Sequence, residues 1–208
     1  MFYVVGLGNP GDEYEETRHN TGREALMKLA RDIDAGDFEF NKKANSEVAE
    51  GKLKKEKLYL VLPNTFMNKS GLAISYFLKP RTGKDKSQQN LIVVHDDLDL
   101  PLGKIKISYN KGVGGHRGLD SIAKSLKTLE FVRVRVGVSP GTPKGKAKKP
   151  GANLSPKASE KAVIDFILGK WKPKEKDELK KVFKKVSEAI QMTVTEGRDK
   201  AMNVYNSM

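Results

Sequence analysis

His19 and the acidic run His95-Asp96-Asp97-Leu98-Asp99 are the strongest candidates for chemistry in this chain. His19 follows Tyr14 and Arg18, precedes Asn20, and falls near the expected start of a helix. Partial burial beside backbone donors there favours a neutral ring. A neutral imidazole can take a proton from water in a hydrolytic step. A lone histidine is more often a packing or surface residue, so this reading needs a partner. The acidic run supplies one directly after a short β-branched stretch. A carboxylate at a strand exit can hold an imidazole in one tautomer and stabilise its charged form. Asp96 is the preferred orienter, with His95 expected on the opposite face of the strand. The competing reading has one acid capping a turn or pairing with lysines, or all three binding a hard cation.

Amide and glycine segments offer recognition chemistry. Gly6-Leu7-Gly8-Asn9-Pro10-Gly11 fails the third-glycine spacing of a dinucleotide fingerprint and lacks the Gly-Lys-Ser/Thr ending of a phosphate loop. A tight turn accounts for its glycines but does not require Asn9, whose amide can donate and accept towards a peptide-like substrate. In Pro63-Asn64-Thr65-Phe66-Met67-Asn68, Asn68 either caps the next helix or presents a second amide, and Phe66 and Met67 fit core packing equally well. Gly112-Val113-Gly114-Gly115-His116-Arg117-Gly118 allows close backbone approach to a phosphate or carbonyl, with Arg117 adding a planar cationic fork. Arg133 and Arg135 extend that positive track. Ordinary loop flexibility and surface charge explain the same residues. No Gly-x-Ser-x-Gly elbow occurs and there is no cysteine, which favours direct attack by water over a covalent acyl-enzyme. Absent cysteines also exclude disulfides and thiolate metal sites, and His19, His95 and His116 lack the close pairing of a metalloprotease helix. No metal and no cofactor are expected.

The positioning elements follow from periodicity. Strands are expected over Phe2–Leu7, Ser46–Leu53, Lys57–Leu62, Leu91–His95, Lys104–Tyr109 and Val132–Val136. Helices are expected after His19–Gly22, after Asn68, around Ile122–Leu126, over Ala158–Leu168 and Lys174–Val194, and over Asp199–Tyr205. Strands interspersed with helices indicate an α/β chain, and the alternating strands argue for a mixed rather than purely parallel sheet. One domain of 208 residues is expected. Residues 139–157 hold four prolines, three glycines and five lysines without an acid, and read as a mobile basic loop inserted in that domain.

Lys and Arg number 39 against 26 Asp and Glu, a formal net charge of +13, which draws polyanions through phosphate contacts. A solubilising lysine surface gives the same count, so charge needs support from chemistry. No run approaches the ~18 apolar residues of a membrane span. The opening residues carry no secretory leader, so a cytoplasmic location is the default expectation.

Taken together, the blocks resemble the bacterial-type peptidyl-tRNA hydrolase family. They are Gly6-Leu7-Gly8-Asn9-Pro10-Gly11 with Tyr14; Thr17-Arg18-His19-Asn20-Thr21-Gly22; Pro63 to Gly71; His95 to Gly103; Gly114-Gly115-His116-Arg117-Gly118-Leu119; Phe131–Val138; Phe166-Ile167-Leu168-Gly169; and Ala201-Met202-Asn203. Their order is specific and spans nearly the whole chain. The resemblance implies a single-domain three-layer α/β/α fold around a central mixed sheet, usually monomeric and without cofactor. It implies hydrolysis of peptidyl-tRNA, bound mainly at the acceptor stem and 3′ end, with no membrane and no obligate protein partner. By the same resemblance, His19 is the general base and Asp96 its stabiliser. Asn9 discriminates blocked from free amines, and Tyr14, Phe66 and Asn68 contact substrate. Arg135 matches a phosphate-binding position. Arg117 departs from the family's usual asparagine, and arginine cannot accept a hydrogen bond; phosphate binding is its alternative use. The basic loop at 139–157 is the second departure. A pure RNA-binding module and a metal-dependent nuclease using Asp96, Asp97 and Asp99 are the rival classes.

Overall fold

The computed structural model describes residues 1–82, 87–141, 146–153 and 155–207. The strands are β1 (Phe2–Gly6), β2 (Glu39–Asn41), β3 (Ser46–Leu53), β4 (Glu56–Pro63), β5 (Leu91–Pro101), β6 (Ile105–Tyr109) and β7 (Val132–Ser139). They form one sheet in the order β2-β3-β4-β1-β5-β7-β6. β1 pairs in parallel with both β4 and β5, and β5 in parallel with β7; the β2–β3, β3–β4 and β6–β7 pairs are antiparallel. The sheet is therefore mixed, as its alternating sequences require.

Alternation also builds the two cores. Val4, Ile92, Val94 and Val134 point to one face, beneath α1 (Thr21–Asp32), α5 (Pro173–Glu196) and α6 (Arg198–Tyr205). Val5, Leu7, Val61, Leu91 and Val93 point to the other, beneath α2 (Ser70–Phe77) and α3 (Arg117–Leu126). The result is a three-layer α/β/α sandwich. Leu179, Val182, Val186 and Ile190 bury one stripe of α5, with Phe183 packed partly buried beside it. No helix among the described residues is long and apolar enough to cross a membrane.

After β1 the chain builds the β4 side of the sheet, then crosses to β5 on the other side. β1 and β5 thus flank a point where the winding changes direction, and a crevice opens at their carboxyl ends. α1 docks there at backbone contact. A Cβ on Gly22 would lie 2.3 Å from the Val94 carbonyl oxygen and 2.6 Å from the Leu7 nitrogen. Only glycine lets the first turn of α1 come this close to both strands.

α1 begins at Thr21, within the expected start near His19–Gly22, and His19 lies in the preceding 3-10 turn Arg18–Asn20. Other boundaries differ from expectation, each for a local reason. β5 continues beyond His95 to Pro101, with a register shift against β7 between Asp97 and Pro101. β2 is an unforeseen edge strand of three residues, too exposed to show a core pattern. Asn68 caps nothing: it sits inside the 3-10 turn Met67–Lys69, and Lys69 precedes α2.

α4 (Pro156–Ile167) has no fully buried residue. Within 139–157, Gly141 and Ala147 form an antiparallel bridge and Lys148 N–H donates to the Pro140 carbonyl at 2.9 Å. Positions 142–145 and 154 of the expected loop lie outside the described residues.

Candidate active site

Arg18 anchors the turn that carries His19. Its guanidinium lies 4.4 Å from the Phe166 ring centroid and 4.8 Å from that of Trp171. It donates to both Glu175 carboxylate oxygens at 3.1 and 2.9 Å and to the Gly169 carbonyl at 3.1 Å. Stacking, paired hydrogen bonds and burial together hold the α4–α5 connection against the histidine turn. On the other side, Asn20 clasps the loop after β1. The Asn9 N–H donates to Asn20 Oδ1 at 2.8 Å, and Asn20 Nδ2 donates to the Asn9 carbonyl at 2.9 Å. His19 is thus fixed from both directions before any contact of its own.

The ring then meets Asp96 as expected. His19 Nδ1 lies 2.9 and 3.1 Å from the two Asp96 oxygens, and both residues are buried. Because the carboxylate accepts, Nδ1 carries the proton and Nε2 is left as the basic nitrogen. Burial alone would lower the His19 pKa, but the Asp96 charge and hydrogen bond outweigh it and raise it above the ordinary value. Asp96 moves the opposite way. Burial pushes its pKa up, yet His19 and His116 hold it far below the usual carboxylate range.

His116 is the residue that sequence reasoning missed. Its Nε2 lies 3.0 Å from Asp96 Oδ1, while its Nδ1 accepts the Gly118 and Leu119 N–H groups at 3.2 and 3.3 Å. The first turn of α3 therefore orients the ring so that its Nε2–H faces Asp96. The signal available in the sequence was a polar residue just before a helical pattern, hidden among glycines. His95 follows the pleat onto the α2–α3 face, as expected, but remains in the site: its ring centroid is 4.8 Å from that of His116. Its Nδ1 donates to the Asp96 carbonyl at 2.7 Å, and burial followed by the neighbouring His116 depresses its pKa strongly.

His19, Asp96 and His116 present ligand atoms within 4.8 Å of one another, a spacing that can hold a metal ion. A metal on His116 would need a bare Nε2, hence a proton on Nδ1, where two backbone N–H groups already point. The chemistry of the donor set thus favours a hydrogen-bonded trio. The alternative cation cluster also dissolves. Asp97 accepts from Arg135 Nε at 2.6 Å, and Asp99 pairs with Lys149.

A cleft of about 980 Å³ opens over the trio. Asn9, Phe66, Asn68, Arg117 and Arg135 all line it, while Tyr14 does not, reaching it only through edge-on contact with Phe66 at 6.4 Å. The Asn9 amide is half committed: its Oδ1 accepts the Met67 N–H at 2.9 Å. The lining is mixed: Phe66, Met67, Val163, Ile164 and Ile167 are apolar, while Lys106, Lys111, Arg133 and Arg135 are basic.

A histidine–carboxylate pair beneath a cleft with this mixed lining, on an α/β/α sandwich, fits a water-activating hydrolase. The comparisons give the family. A family model described as peptidyl-tRNA hydrolase matches residues 3–208, and the chain belongs to that family. The peptidyl-tRNA hydrolase of Thermodesulfovibrio yellowstonii is 34% identical over 208 residues, covering 100% of each chain. That of Trichodesmium erythraeum is 36% identical, over 98% of this chain and 87% of its own. Among solved structures, peptidyl-tRNA hydrolase from Acinetobacter baumannii superposes with a TM-score of 0.79 at 27% identity, over 100% of this chain and 95% of that one.

Proposed function

We propose that this chain hydrolyses the ester joining an N-blocked peptide to the 3′ ribose of transfer RNA. The observation that carries the reading is the His19–Asp96 pair at 2.9 Å beneath a cleft lined by both apolar and basic side chains. His19 Nε2 takes a proton from water as the oxygen attacks the ester carbonyl. Asp96 stabilises the imidazolium that results. The proton then passes to the departing ribose oxygen, releasing peptide and transfer RNA.

The remaining assignments follow from what each group can still offer. With Oδ1 engaged by Met67, Asn9 presents its Nδ2 hydrogens to the substrate's amide carbonyl, which sets a blocked amine apart from a charged free one. Asn68, on the cleft rim, supplies a neutral donor to developing oxygen charge. Phe66, backed by Tyr14, receives the acyl group. Arg135 and Arg117 take phosphates of the acceptor stem and 3′ end. The lysines of 139–157 extend this contact along the backbone, so neutralising them weakens transfer RNA binding at fixed salt.

The test incubates the protein with blocked and unblocked aminoacyl-tRNA, with and without a chelator, and separates ester from phosphodiester cleavage. Chelator-insensitive cleavage of the blocked ester supports the reading. Binding without cleavage returns it to an RNA-binding module, and chelator-sensitive strand cleavage to a nuclease.

A further inference from the structure

Arg117 opens α3 and Glu160 lies on α4, and both line the cleft. A single described hydrogen bond joins them, from Arg117 Nη2 to Glu160 Oε1 at 3.0 Å, with the two side chains 65% and 64% exposed. A guanidinium can grip a carboxylate or phosphate through two parallel N–H groups, so this pair leaves the better geometry unused. It contrasts with the other cleft arginines. Arg133 is buried and donates to the Gly112 carbonyl at 2.8 Å, and Arg135 is held by Asp97.

Glu160 also breaks a pattern. Glu160, Val163, Ile164 and Ile167 recur at three- and four-residue steps and form the face of α4 that lines the cleft. The other three are apolar, so Glu160 is the one charged member of that stripe. Its one described partner is the guanidinium across the opening. An ion pair between hydrated groups exchanges partners readily, because neither ion was desolvated to form it. The basic residues that line the same cleft gather anions.

We propose that Arg117 is an exchangeable anion subsite and that Glu160 is its internal placeholder. In the free enzyme the Glu160 carboxylate holds the guanidinium. When substrate enters, an anionic group, either a phosphate near the 3′ end or an acidic side chain of the peptide, takes its place. The inference rests on the substrate reading above and adds a competitor to it: an acid within the cleft that weakens binding of the anion its partner attracts.

Two arms test it. One measures binding of deacylated transfer RNA, which has phosphates but no peptide, at fixed salt. The other compares kcat/KM for two N-acetyl-dipeptidyl-tRNAs that carry Glu or Gln before the esterified residue. Each uses the wild type, Arg117→Asn, Glu160→Gln and the double variant. In one arm the signs should be opposite: Glu160→Gln strengthens and Arg117→Asn weakens the anion-dependent quantity, by about threefold to tenfold. In that arm the Glu160→Gln gain should vanish once Arg117 is replaced, because it acts through that residue. A response in transfer RNA binding identifies phosphate; a response in the Glu-to-Gln ratio identifies the peptide acid. A gain that survives the loss of Arg117 is a general field effect and overturns the proposal. So do changes of equal sign, or no change in either arm. Wild-type protein that cleaves neither ester sinks the substrate reading instead, and the binding arm then decides the subsite alone.

Discussion

His116 Nε2 lies 3.0 Å from the same Asp96 oxygen that His19 Nδ1 approaches at 2.9 Å. One carboxylate oxygen therefore serves two rings, and one of them is fixed by the backbone of α3. His116 holds Asp96 in the orientation that His19 uses. Replacing His116 by alanine should lower kcat by about tenfold to hundredfold, less than the loss of the base itself. Steady-state kinetics check this, and an unchanged kcat would contradict it.

The electrostatics of the pair set a pH dependence. A base must be unprotonated to act, so kcat/KM should rise with pH through the His19 pKa. Burial lowers that pKa and Asp96 raises it further, for a net upward shift, so the rising limb should lie above pH ~6.5. Asp96→Asn removes the raising influence and should move the limb to lower pH while reducing its plateau. Arg117 is a lowering influence, so Arg117→Asn should move it upward. Limbs that stay in place in both variants would dissociate the activity from His19.

Asn9 separates its roles by atom. Its Oδ1 holds the Met67 N–H, while Nδ2 is free for substrate among the described hydrogen bonds. Asn9→Asp keeps an acceptor for Met67 but loses the donor. Its melting temperature should stay within a few degrees of wild type while the preference for blocked over free aminoacyl-tRNA collapses, a change of about tenfold or more. A preserved preference would leave Asn9 as a turn residue only.

Glu24 on α1 makes a separate prediction about stability. Its Oε1 is buried without a hydrogen-bond partner among the described residues, and burial, aided by Glu16, pushes its pKa up to about 7. A carboxyl raised in the folded state is fully compatible with folding below its unfolded value near 4.5. Its penalty grows as pH rises from there to about 7 and then stays constant. Glu24→Gln should therefore raise the melting temperature by several degrees at pH 8 and by much less at pH 5. Equal gains at both pH values would point to packing instead.

The parts of this molecule legible in the sequence are those with a period or a partner nearby. Val4 and Val5, Ile92 and Val93, and the α5 stripe from Leu179 to Ile190 alternate or recur as their two-sided burial demands. The His19–Asp96 pairing was expected from a strand exit and a helix start, although 77 residues separate them. What escaped depended on geometry between distant segments. His116 looked like one more residue of a glycine loop, because nothing local marks its Nε2 as facing Asp96. Arg117 finds Glu160 only because α4 crosses the cleft, 43 residues later.

The most direct measurement is single-turnover hydrolysis of an N-acetyl-aminoacyl-tRNA by His19→Ala protein with transfer RNA binding measured in parallel. The account predicts cleavage slowed by about 100-fold to 10,000-fold with binding retained. Near-normal cleavage by the folded variant would contradict it.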